Sequence, residues 1–238
     1  MKTPGSGVSP REFRYLTLLT GLFVATLLIS NTVSQKPWQI GRFVFPAGSI
    51  LFPLSYLFGD VLTEVYGYAR ARQVIWTGFL ANGLMAITYR ITIGLPQARF
   101  WPNDIAFGLV LGQVPRLVVA SLVGYLIGEF ANSFVLAKMK VWSGGRHLWA
   151  RIIGSTVVGQ FLDTVTFVVV AFAGTWPEKY IVLTGTSLYG FKVLYEIIAT
   201  PGTYAIVRFL KKREGIDYFD SGTNFFPFLW STRTNVAE

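Results

Sequence analysis

The chain has 238 residues, of which 52% are hydrophobic, 16% aromatic and 14% charged. An ordinary soluble domain carries roughly 25% charged residues, so this composition excludes a disordered chain and a soluble enzyme of this length, and it fits a membrane protein. There is no cysteine, which excludes disulfides, thiolate metal sites and cysteine nucleophiles, and the single histidine, His147, excludes a histidine-rich metal centre.

The formal net charge is +9. In a soluble protein that would suggest nucleic acid. Here a positive cytoplasmic face explains it, and no nucleic-acid partner is expected.

In chain order, residues 1–14 carry Lys2, Arg11 and Arg14 and form a cytoplasmic N-terminus. An apolar run follows over 15–29. A cleaved signal peptide is the rival reading, but the run continues into Ser30-Asn31-Thr32-Val33-Ser34-Gln35 with no small-x-small cleavage site, so a retained first span is expected. Further apolar segments lie at 46–67, 71–95, 104–138, 150–173 and 187–210. A span needs roughly 20 residues. The expectation is an all-α, polytopic membrane protein with six transmembrane helices, forming a single transmembrane domain over 1–238.

The segment 104–138 is too long for one straight crossing. Pro115 inside it predicts a kink or a short leading helix. Residues 214–238 read as a cytoplasmic aromatic-rich tail lying on the lipid headgroups, with a partner-binding tail as the alternative.

Positive charge predicts the orientation. With both termini inside, the cytoplasmic parts hold Lys2, Arg11, Arg14, Arg70, Arg72, Lys138, Lys140, Arg146, Arg151, Arg208, Lys211, Lys212, Arg213 and Arg233. The outer loops hold only Lys36, Arg42, Arg90, Arg99 and Lys179. This excess predicts N-in, C-in.

Asp60, Glu64, Glu129, Asp163 and Glu196, with the cations Arg116 and Lys192, fall in or near the spans. Each such group costs roughly 2.5–3.5 kcal/mol at a helix centre. Seven facing lipid would exceed the roughly 5–15 kcal/mol stability of an ordinary protein. They must face one another, an internal aqueous cavity or a polar ligand, apart from any at headgroup level.

Spacing puts Asp60 with Glu64, Glu129 with Asn132, Gln160 with Asp163, and Lys192 with Glu196 on shared helix faces. Four polar stripes among six helices describe a solute pathway, and Asn82 and Arg116 could add to its lining.

Bland readings stand beside these. Lys192 and Glu196 could form an ion pair within one helix. Asp60 and Glu64 could form a gate or structural pair with Arg70 and Arg72. Glu129 could sit near the cytoplasmic interface, and Arg116 could snorkel. The run Ala120-x-x-x-Gly124-x-x-x-Gly128 suits a homodimer seam or close packing within one monomer. Trp38, Trp76, Trp101, Trp142, Trp149 and Trp176 fall near span ends as an interface belt, with Trp76 or Trp101 available to stack on a flat ligand.

The chain has no GxxxxGK[ST] phosphate loop, so no ATP hydrolysis of its own is expected, and HExxH and CxxC are also missing. One histidine argues against a catalytic triad. No catalytic residue, metal or cofactor is expected.

Four stretches carry a family resemblance: GDVLTEVYGYARAR (59–72), PRLVVASLVGYLIGEFANSFVLAKMK (115–140), RIIGSTVVGQFLDT (151–164) and FKVLYEIIATPGTYAIVRFLKKRE (191–214). Together they resemble the queuosine precursor transporters, also called the vitamin uptake transporter family, with a departure at Gln160, where a family Glu is expected. The resemblance implies a multi-pass protein of the bacterial inner membrane, among membrane lipids. It would import 7-deazaguanine bases such as 7-cyano- or 7-aminomethyl-7-deazaguanine.

A guanine-like edge offers parallel N–H donors to a carboxylate, and its carbonyl needs a donor. On that reading Asp163, Gln160, Lys192, Glu196, Asn132, Glu129 and Arg116 bind substrate, and Asp60, Glu64 and Arg72 gate or couple. A buried carboxyl would couple uptake to the proton gradient. The rival functions are a substrate-binding subunit of an importer energised by a separate ATPase, an intramembrane enzyme, and a structural subunit.

Overall fold

The computed structural model describes residues 13–33, 36–40, 43–112, 115–174, 177–221 and 223–229; of residues 37–40, 43–46, 52, 115–118, 171–172 and 180 it describes the backbone alone. Seven α-helices account for most of them: α1 (Leu16–Val33), α2 (Phe52–Tyr66), α3 (Tyr68–Ile93), α4 (Asp104–Leu111), α5 (Pro115–Trp142), α6 (Leu148–Phe172) and α7 (Glu178–Glu214). The all-α expectation misses one short feature. Between α1 and α2, β1 (Pro37–Ile40) pairs antiparallel with β2 (Phe43–Pro46), and a 3-10 turn (Ala47–Ile50) leads into α2.

Among the described residues four helices are long and apolar enough to cross a membrane: α1, α5, α6 and α7. The long fourth segment resolves into the short α4 and a separate α5 that opens on Pro115. Proline is favoured in a first helical turn, where its missing N–H leaves no helical bond unmade.

Local sequence sets the other breaks. Gly67 separates α2 from α3 at φ 85° and ψ 163°, its N–H held by the Thr63 carbonyl. A Cβ there would strike the Tyr218 ring. Gly215 ends α7 in the left-handed conformation (φ 62°), its N–H on the Lys211 carbonyl, as expected of glycine after a helix.

The interior holds an apolar core around Phe23, Leu62 and Val65 and also many polar side chains, while large apolar side chains cover much of the outside. Phe161 is 54% exposed, whereas Asp163, two residues later on α6, is 2% exposed. Leu84, Leu109 and Ile198 also point outward. This distribution suits a hydrocarbon surround, where the polar groups and not the leucines need sheltering.

Helix α2 lies at the centre, touching α1, α3, α5 and α7, while α5, α6 and α7 pack in succession. The closest approach is between α5 and α6. A Cβ on Gly128 would lie 2.5 Å from the Asp163 Cβ, and one on Gly159 would lie 2.7 Å from the Asn132 Cβ. The small-residue run is therefore consumed inside one chain, and the seam argument for a homodimer is withdrawn.

Both ends of the described chain meet. The Glu214 carboxylate accepts the N–H groups of Arg14 (3.2 Å) and Tyr15 (2.8 Å) and the Tyr66 hydroxyl (2.9 Å). The start of α1, the end of α2 and the end of α7 thus share one end of the bundle.

The described part of the tail folds back there, with Phe219, Phe226 and Phe228 left exposed. The Asp220 carboxylate accepts the Tyr68 N–H at the start of α3, and Arg72 donates to the carbonyls of Asn224 (2.7 Å) and Phe226 (2.8 Å). Trp76 donates to the Pro227 carbonyl at 2.8 Å, which ties α3 to the tail. Trp230 lies outside the described residues, as do the side chains of Trp38 and Trp176.

Candidate functional site: a buried carboxyl cluster

Four helices each deliver a carboxyl to the interior: Asp60 from α2, Glu129 from α5, Asp163 from α6 and Glu196 from α7. None is more than 2% exposed. Their convergence follows from the sequence, since helix-borne carboxyls in apolar segments have no cheap position facing lipid. Asn132 donates its amide to Asp60 Oδ1 at 2.7 Å. Glu196 lies beside Asp60, and Glu129 neighbours both Asp60 and Asp163. Gln160 is buried one turn before Asp163.

Lys192 donates to Asp163, a partner on another helix. The expectation of a Lys192–Glu196 pair within α7 is corrected. Glu129 is fully buried in the cluster. It reaches the backbone of α2 only because position 59 is glycine, since a Cβ on Gly59 would overlap Glu129 Oε1.

Carboxyl and amide oxygens are left over here, alongside the buried hydroxyls of Thr156, Thr164 and Thr203. Asp60 Oδ2, both Glu129 oxygens, Glu196 Oε1, Asn132 Oδ1 and Gln160 Oε1 are buried and have no hydrogen-bond partner among the described residues. A buried acceptor left unmade costs about 1–3 kcal/mol. The arrangement therefore suits a solute that brings donors or positive charge. Among the described residues no group of three or more His, Cys, Asp or Glu is placed to hold a metal ion.

The sequence reading missed the aromatic wall. Tyr56 on α2 and Tyr125 on α5 are buried beside the carboxyls, their rings 5.9 Å apart and inclined at 73°. Tyr56 neighbours Asp163 and Glu129, and Tyr125 neighbours the same two acids. Each tyrosine precedes a cluster carboxyl by four residues, Asp60 and Glu129 respectively, and that spacing was a usable signal.

A second charged cluster closes the end where α1 starts and α7 stops. Glu64 is ion-paired with Arg151 of α6, with Lys211 of α7 (2.5 Å) and with Lys140 of α5 (3.5 Å). Lys140 and Lys211 also hold Asp217 of the tail, at 2.5 and 2.9 Å. Glu64 therefore does not pair with Arg70 or Arg72 as expected. Arg72 serves the tail, and Arg70 bonds the Tyr66 carbonyl and stacks on Phe13 and Tyr218.

Other expectations also move. Asn82 bonds Asn31 of α1 at 2.6 Å, away from the cluster. Trp101 packs edge-on against Phe107. The Arg116 side chain lies outside the described residues.

The cluster is closed, its groups facing one another and not an open chamber. Two surface grooves, about 470 Å³ between α1 and α7 and about 270 Å³ between α6 and α7, are almost wholly apolar. Neither includes a cluster residue.

The fold is a helical bundle with apolar helices long enough to cross a membrane and a closed acidic cluster inside it. Residues 46–206, well over half of the chain, match the family described as "Putative vitamin uptake transporter", and the chain belongs to that family. It is 29% identical over 201 residues to a "Probable queuosine precursor transporter" of Bacillus subtilis, covering 82% of this chain and 86% of that one. It is 25% identical over 205 residues to the "Queuosine precursor transporter" of Escherichia coli, covering 83% and 88%. No solved structure matches the chain.

Proposed function

We propose that this protein imports queuosine precursors, 7-deazaguanine bases, across the bacterial inner membrane by proton-coupled secondary transport. The relatives' names support the substrate class. The observation that carries the reading is the meeting of Asp60, Glu129, Asp163 and Glu196 from four helices, with buried acceptors left over. A guanine-like edge supplies adjacent N–H donors for such acceptors, and either ring of the edge-to-face Tyr56–Tyr125 pair offers an aromatic surface for the base.

In this reading Asp163 or Glu196 takes the guanine-type donors. Lys192 serves the base carbonyl once released from Asp163, and Asn132, Gln160 and Glu129 complete the site. A cluster carboxyl carries the coupled proton, and α2 links Asp60 in the site to Glu64 in the closing cluster. In this reading the chain crosses six times, by α1, α2, α3, α5, α6 and α7, with both termini inside; the shared end at Glu214 and the basic residues gathered there support it.

The test is uptake by purified protein in liposomes. Accumulation without added proteins is expected, with the solute chemically unchanged and the accumulation lost when the proton gradient is collapsed. Uptake only with an added ATPase would favour a substrate-binding subunit. Asp163→Asn is expected to abolish uptake while the protein stays in the membrane, and wild-type uptake in that variant removes Asp163 from the site.

A further inference from the structure

We propose that the groove between α1 and α7 is a binding site for an anionic phospholipid, with an acyl chain lying in the groove and the phosphate held by Arg14 and Arg213. This requires only that α1 and α7 cross a membrane, and it is independent of the solute carried.

The groove follows from the packing. Helices α1 and α7 both pack on α2, and the Glu214 carboxylate ties the end of α7 to the N–H of Tyr15. Between them lies an opening of about 470 Å³, lined by Tyr15 and Leu18 at the start of α1 and by Ala205, Ile206 and Phe209 near the end of α7. Leu18, Ile206 and Phe209 are each about half exposed. In a bilayer such a surface is covered by acyl chains. Lipid tails are as apolar as leucine, so the groove fixes where a chain lies but not which lipid carries it. The headgroup contacts decide that.

Those contacts are basic. The Arg14 guanidinium lies 5.7 Å from the centre of the Tyr15 ring, and that of Arg213 lies 5.6 Å from the Phe209 ring. The two rings meet edge to face at 5.8 Å. Two guanidiniums therefore border one aromatic pair that lines the groove. Arg213 is four residues beyond Phe209, on the same helix face. Both arginines are exposed, and neither is ion-paired among the described residues. The neighbouring acids are engaged elsewhere: Glu214 accepts the N–H groups of Arg14 and Tyr15 and the Tyr66 hydroxyl, and Asp217 holds Lys140 and Lys211.

This charge selects the occupant. A guanidinium binds phosphate with two parallel hydrogen bonds, and basic pockets between membrane helices recognise anionic headgroups. A zwitterionic lipid brings an ammonium along with its phosphate. A second copy docked two-fold through the same groove would set each cation close to like charge.

The experiment is native mass spectrometry of the full chain, purified in detergent and offered equal amounts of phosphatidylglycerol and phosphatidylcholine with the same acyl chains. A cation near an anionic surface contributes about fivefold in affinity, so wild type should retain phosphatidylglycerol at least about tenfold better. Arg14→Gln/Arg213→Gln should lose the preference. Arg146→Gln/Arg208→Gln, which removes the same charge from exposed positions outside the groove lining, should keep it. Ala205→Trp, which fills the groove and leaves both arginines, should retain at least about threefold less phosphatidylglycerol. Millimolar glycerol phosphate should displace none.

Equal retention of the two lipids by wild type overturns the proposal. Equal losses in the two double variants also overturn it, because general surface charge would then explain the binding. Undiminished retention in Ala205→Trp, or displacement by glycerol phosphate, overturns it by leaving a bare anion site. If Arg14→Gln/Arg213→Gln does not fold, the wild-type comparison and Ala205→Trp decide. A negative result in any arm leaves the transporter reading untouched.

Discussion

Asp60 and Glu64 stand one helical turn apart on α2 and answer to different partners: Asp60 takes the amide of Asn132, and Glu64 takes the guanidinium of Arg151. One short helix therefore belongs both to the interior cluster and to the ion network at the end of the bundle. A displacement of α2 by a solute at Asp60 would be felt at Glu64, and the network would resist it.

The network should be an energetic keystone. Glu64 is 1% exposed, and Arg151 and Lys140 beside it are equally buried. Removing one partner of a buried ion pair costs about 3–5 kcal/mol, because the other charges stay buried. Glu64→Gln should lower the melting temperature of the purified protein well below that of a surface substitution such as Glu178→Gln. Equal melting temperatures would remove Glu64 from the framework.

The tail should be a fixed part of the fold. Arg72, 1% exposed, donates to two tail carbonyls, and Asp220 accepts the Tyr68 N–H. Hydrogen bonds to a charged group contribute about 1.5–3 kcal/mol each. Truncation after Gly215 should lower the melting temperature and expose the α2–α3 junction to protease. An unchanged digestion pattern would show that the tail does not brace it.

Asp217 gives the tail a pH dependence of definite sign. Burial pushes its carboxyl up, but the hydrogen bonds from Lys140 and Lys211 outweigh burial and hold it below the usual carboxylate range. A carboxyl whose pKa is depressed on folding contributes stability above its unfolded pKa of about 3.9 and loses it as pH falls through the folded value. Asp217→Asn should therefore melt below wild type at neutral pH, with the gap closing in acid. Because Asp217 is about half exposed, the gap should be modest and should shrink with salt. A gap that widens as pH falls has the wrong sign for this pairing.

Orientation is open to a direct check, because the chain has no cysteine of its own. Arg146→Cys lies between α5 and α6, and Gln97→Cys lies between α3 and α4; both positions are exposed. In intact cells whose outer membrane has been opened, an impermeant thiol reagent should label Gln97→Cys and spare Arg146→Cys. The reverse pattern would invert the proposed topology.

What the sequence made legible was governed by cost. Asp163, Glu129, Asn132, Gln160 and Glu196 could be assigned to the interior because ionisable or amide groups in apolar segments have nowhere else to go. Pairings across helices were not legible. Lys192 had an i, i+4 partner in Glu196, yet it reaches Asp163, because helix spacing describes one helix and not its neighbours. Arg151, Lys140 and Lys211 read as ordinary cytoplasmic charges, and only the packing of α5, α6 and α7 brings them to Glu64. The docking of the tail on α3 was not legible either, because nothing in its order reveals that Arg72 and Trp76 take the carbonyls of Asn224 and Pro227.

The most direct measurement of the central claim is saturable binding of a labelled 7-deazaguanine base to the reconstituted protein, with wild type and Glu196→Gln side by side. Wild type should bind, and Glu196→Gln, still folded and inserted, should bind at least about tenfold more weakly, as loss of a charged hydrogen-bond acceptor requires. Equal binding by the two would contradict a solute site at the meeting point of α2, α5, α6 and α7.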